Sequence, residues 1–152
     1  MRYIKKFEST NYTNDKIKEI VDFIGNIFDI LLPYSDDGCE YTMQLWIKGY
    51  KNDKSRDFHI HFDPEDIYED LHLYIEGHLK ESRSLFLYDK FGYSLNIKFT
   101  KLGDGLLPNI LERIRSEYSP PGKDRYIIDY SDIYPQSLII NDPVIWREDF
   151  GK

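Results

Sequence analysis

Asp57–Gly77, DFHIHFDPEDIYEDLHLYIEG, is where the period of the chain changes. Over its first six residues, apolar and polar side chains alternate: Phe58, Ile60 and Phe62 share one face, and Asp57, His59 and His61 share the other. Period two is the signature of a half-buried strand. Asp63 then offers a side-chain cap, Pro64 suits a first helical position, and Glu65 and Asp66 fall in a first turn favoured by the helix dipole. From there Ile67, Leu71, Tyr74, Ile75 and Leu79 recur at helical spacing. DLHLYI also alternates, but the Asp-Pro-Glu-Asp start favours a helix beginning at Asp63.

Working outward toward the N-terminus, Tyr41–Lys48 alternates in the same way. Tyr41, Met43, Leu45 and Ile47 face one side, and Thr42, Gln44, Trp46 and Lys48 the other. With GYKNDKS as the turn, it forms a hairpin with the strand at 57–62. Upstream, Thr13 or Asn14 caps a helix whose apolar stripe runs through Ile17, Ile20, Val21, Ile24, Phe28 and Leu31. Phe23, Ile27, Ile30 and Leu32 widen that stripe, and Pro33 is the expected stop. Arg2–Phe7 reads as an opening strand.

Toward the C-terminus, Leu85–Tyr88 and Tyr93–Lys101 flank a turn at 89–92 and read as a second hairpin. A third helix is expected from about Leu106 to Glu117, stopped by Ser-Pro-Pro-Gly. Arg125–Tyr130 and Ser137–Ile140 read as the last strands, and Trp146 and Phe150 of the tail are apolar enough to dock on the body. The order is β-(αββ)x3. It implies an α+β fold, with three helices on a mixed or mostly antiparallel sheet of about 6–7 strands. No linker-like stretch divides the chain, so residues 1–152 are expected to form one globular domain.

Charge narrows the function. The formal net charge is −7, and the seven acids of 57–77 (Asp57, Asp63, Glu65, Asp66, Glu69, Asp70, Glu76) equal it without one Lys or Arg among them. A pI near 5.1 disfavours nucleic acid or anionic membrane as partners, because phosphate binding needs a basic footprint. It favours a basic partner. Cys39 is the only cysteine, which excludes an internal disulfide and a cysteine zinc cluster. No signal-peptide pattern follows MRYIKKFEST, and no run is apolar enough to span a bilayer, so a cytoplasmic location is expected.

Two constellations carry chemistry. Asp57, His59, His61 and Asp63 share one strand face, where a His-x-His pair with a carboxylate is a plausible divalent-metal site able to activate water. The same pattern arises as a plain solvated face; the missing third ligand would have to be His72, His78 or a distant carboxylate, and His72 and His78, six apart, do not share one helical stripe. Cys39 lies beside Asp36, Asp37 and Glu40, which oppose a thiolate. Phosphate-binding loops and a nucleophile elbow are absent, since neither GxxxxGK[ST], GxGxxG nor GxSxG occurs.

The second constellation is the helix. Glu65, Asp66, Tyr68, Glu69, Asp70 and Glu76, with Asp63 at its cap, are placed away from the Ile67/Leu71/Tyr74/Ile75 stripe. Like charges four apart cost a few tenths of a kcal/mol each, so an all-acid face either serves solubility or mates with a basic protein. The function expected is a non-enzymatic acidic protein-binding domain without a cofactor. By analogy of composition and size, it would be an immunity protein or inhibitor that neutralises a basic toxin or nuclease. The alternative is a metal-dependent hydrolase or metal-binding protein using Asp57, His59, His61 and Asp63. A composition rich in Ile, Lys, Asn and Tyr fits a bacterial or phage gene of low GC content.

Overall fold

The computed structural model describes residues 2–51, 54–64, 70–81, 90–119 and 126–142. Three helices, α1 (Arg2–Ser35), α2 (Leu71–Glu81) and α3 (Leu106–Tyr118), cover one face of a sheet of five strands. The strands are β1 (Glu40–Lys51), β2 (Lys54–Phe62), β3 (Lys90–Lys101), β4 (Ile127–Ser131) and β5 (Ser137–Asn141), in the order β2-β1-β3-β5-β4. Every neighbouring pair is antiparallel. The fold is therefore α+β, but the described strands number five rather than 6–7, and the chain opens on a helix.

That helix corrects the reading of Arg2–Phe7 as a strand and of Thr13 or Asn14 as a cap. α1 runs without interruption from Arg2. Tyr3 and Phe7 are four apart, a spacing common to both periods, and no Gly or Pro precedes Gly25 to break a helix. Pro33 does not end α1 either, because the helix runs on to Ser35. A proline so close to the C-terminus removes one hydrogen bond from a turn whose carbonyls are already running out of partners. The stop is made by Gly38, at φ +88, with Gly38 N–H donating to the Ser35 carbonyl at 3.1 Å.

The hairpin at β1 and β2 forms as expected and is longer. Pairing extends from Met43–Phe62 to Lys51–Lys54, so most of GYKNDKS is strand rather than turn. The alternation holds: Tyr41, Met43, Leu45, Ile47, Ile60 and Phe62 are buried, while Thr42, Trp46, Asp57, His59 and His61 are exposed. β3 begins at Lys90, so the turn expected at 89–92 is strand from Lys90 onward, and it pairs with β1 on one side and β5 on the other. Leu85–Tyr88 and the tail with Trp146 and Phe150 lie outside the described residues.

The helix expected from Asp63 begins at Leu71 in the described residues. Asp63 lies outside regular structure and Pro64 is in a turn. A cap signal is local and worth about 1 kcal/mol, whereas burial of Leu71, Ile75 and Leu79 against the core fixes the helix itself. At the crossing of α1 and α2, a Cβ built on Gly25 would lie 3.2 Å from His72 Cε1 and 3.3 Å from its Nε2. Gly25→Ala should therefore gain helix propensity of about 1 kcal/mol only where His72 yields. The expected result in urea titrations is a near-neutral Gly25→Ala, turning stabilising by about 1 kcal/mol in a His72→Ala background. Equal effects in both backgrounds would show that the contact is unimportant.

α3 packs through Leu107, Ile110, Leu111 and Ile114. Between α1, β3 and α3 lies an aromatic cluster in which Phe23 stacks on Tyr126 and meets Tyr118 edge-on, while the Tyr93 and Tyr126 hydroxyls hydrogen-bond at 2.8 Å. Burial raises the Tyr93 pKa, and it pushes Tyr118 up to about 12 against the opposing pull of a hydrogen bond with Asn26. The folded state therefore holds these protons more tightly than the unfolded chain, whose tyrosines titrate near 10. Their contribution to stability should be constant below about pH 9 and fall as pH rises from 10 through 12. Thermal melts across that range check it, and Tyr118→Phe should flatten the alkaline fall.

Candidate functional site

Register places the loops. Met43 pairs with Phe62, Glu40 with Lys101, Lys98 with Ser137, and Ser131 with Ser137. The start of β1, the end of β2, the end of β3 and the β4–β5 connection therefore all lie at one end of the sheet. The loops leaving that end carry Asp36, Asp37, Asp63, Asp104 and Asp132, with Glu40 at the β1 start. Asp36, Asp37, Glu40, Asp104 and Asp132 are exposed, and Asp63 is half-buried. Lys98 and Lys101 are the bases nearby, the latter lying over Gly38. The opposite end carries Lys48, Lys51, Lys54, Arg56 and Lys90 at paired strand positions, with Asp57. Charge is thus graded along the strands, from basic at the β1–β2 turn to acidic at the other end.

Part of this was legible and was missed. No Lys or Arg occurs between Lys18 and Lys48, a stretch holding Glu19, Asp22, Asp29, Asp36, Asp37 and Glu40. All six are exposed. It is a second base-free run beside 57–77, and α1 packs against α2, which holds the end of that run.

Of the residues expected to bind a partner, Asp63 follows β2 directly at the acidic end. Asp70 is exposed just before α2, while Glu76 is half-buried and ion-paired with Lys80 at 3.1 Å. Glu65, Asp66, Tyr68 and Glu69 lie outside the described residues. Glu76 faces elsewhere, into an open groove of about 510 Å³ between α1 and α2 whose walls include Asp15, Lys18, Asp22, His72 and Lys80. The groove mixes both signs over a floor of Ile17 and Val21.

The histidines are dispersed. His59 stacks on Trp46 at 4.8 Å between ring centres, and its Nδ1 lies 3.3 Å from Gln44 Nε2. His61 is on the same exposed sheet face, beside Gln44 in register. His72 meets Gly25, and His78 packs on Tyr74. Among the described residues, no three of His, Cys, Asp and Glu converge to hold a metal ion, so Asp57, His59, His61 and Asp63 share a face without forming a chelate. Cys39 is buried. No described helix is long and apolar enough to cross a membrane. Comparison with family models, with curated proteins and with solved structures returns no match.

Proposed function

We propose that this chain is a non-enzymatic binding protein that neutralises a basic partner, in the manner of an immunity protein or inhibitor of a basic toxin or nuclease. One observation carries the reading: strand register collects the exposed acids Asp36, Asp37, Glu40, Asp104 and Asp132 at a single end of the sheet, with Asp63 among them. A nuclease active site is built to attract phosphate, so carboxylates gathered at one end of a sheet compete for it by the same electrostatics. The graded charge also orients the chain as it approaches, acidic end first.

The test is capture from the source cell's lysate on the immobilised chain, at low and at high salt, read by mass spectrometry. A basic protein recovered near 1:1 and released as salt rises is the expected result. Recovery of acidic or neutral proteins alone, or capture indifferent to salt, would remove the reading.

A further inference from the structure

The acidic end also carries the most exposed large apolar side chains among the described residues. Ile133 is 81% exposed and Tyr134 84%, side by side in the β4–β5 connection. Neither contributes to the core, and the loop that presents them is held by other groups. Gln136 Nε2 donates to Asp132 Oδ1 at 2.8 Å across the loop, Phe99 N–H donates to the Gln136 carbonyl at 2.9 Å, and Ser131 pairs with Ser137 beneath. An apolar pair on a connection already tied down loses little conformational entropy when it is buried by a partner. Tyr130, on β4, is also exposed and lies under the Arg115 guanidinium, 5.8 Å from its ring centre.

We infer that Ile133 and Tyr134 form the anchor of the interface, entering an apolar pocket whose rim carries Lys or Arg. The inference rests on the reading of a basic partner given above and adds the chemistry at its centre. Exposed Asp132 precedes the tip directly, and Asp36, Asp37 and Asp104 share its end of the sheet. Aromatic and aliphatic anchors within a polar ring are the arrangement in which a few residues dominate binding energy. The same carboxylates repel an anionic lipid surface, and they repel the equivalent end of a second copy.

Ile133→Ser/Tyr134→Ser is compared with Asp36→Lys/Asp37→Lys against the basic protein recovered from the lysate, by interferometry and at two salt concentrations. The tip variant should melt like the parent, associate at the parent rate with the same salt dependence, and dissociate at least about ten-fold faster. Tyr134→p-benzoylphenylalanine should photo-crosslink to that protein, while the same replacement at Glu112 on α3 should not. An unchanged dissociation rate for the tip variant, or no crosslink from position 134, overturns the anchor and leaves the acidic interface standing. Failure of the parent chain to recover any basic protein overturns both. A concentration-dependent dimer in sedimentation that the tip variant abolishes overturns the inference too, by assigning the tip to self-association.

Discussion

Phe23→Ala should lower the unfolding free energy by about 3–5 kcal/mol in urea titrations, with an unchanged dependence on denaturant. Phe23 is 4% exposed and stands where α1, β3, α3 and the approach to β4 meet. Its ring lies 5.2 Å from Tyr126 in a stacked pair, 5.2 Å from Tyr118 edge-on and 5.5 Å from Tyr93. Each such pair adds about 0.5–1.5 kcal/mol beyond simple burial, and truncation leaves a cavity that three rings cannot fill without breaking the Tyr93–Tyr126 hydroxyl contact. The near-ultraviolet dichroism of the tyrosines should weaken in parallel. Tyr134→Ala, at an exposed position, should change stability by no more than about 0.5 kcal/mol. A cost below about 1 kcal/mol at Phe23 would show that the aromatic cluster contributes little to holding helices and sheet together.

The sheet was legible wherever one face is buried. Tyr41 to Ile47 and Phe58 to Phe62 declare their inward faces because period two admits one register against a core. The start of α1 was not legible, since Tyr3 and Phe7 fit both periods and only the absence of a breaker favours the helix. The helix read from Asp63-Pro64 falls in part on residues 65–69, outside the described residues, and its described part starts where Leu71 meets the core. The candidate site was legible as composition and not as place. That acids are in excess can be counted; that Asp36, Asp104 and Asp132 end up together depends on strand order β2-β1-β3-β5-β4, a non-local property. Nothing in Asp132-Ile133-Tyr134 distinguishes an exposed tip from a covered one until the strands around it are paired.

Asp36→Lys/Asp37→Lys/Asp132→Lys should slow association with the basic partner by about 10–100-fold at low ionic strength. Each substitution replaces a carboxylate by an ammonium on an exposed loop, so the field at the acidic end is reversed while the buried contacts are untouched. The Asp132→Lys component also removes the carboxylate that accepts from Gln136, and that single variant is measured separately to isolate any loosening of the tip. Thermal stability should remain close to the parent, because all three positions are exposed and surface substitutions of this kind are worth a few tenths of a kcal/mol. The rate difference should shrink toward parity near 1 M salt, where the screening length falls to about 3 Å. Glu112→Lys/Glu117→Lys on α3 is the control, exposed acids reversed away from the loops at the acidic end. If only net charge mattered, that control would slow association in proportion to its charge change. A site requires the loop variant to exceed it by far more than the charge ratio, because steering acts through the local potential that the partner meets first. Equal slowing per charge in the two variants would leave an acidic protein with no acidic interface.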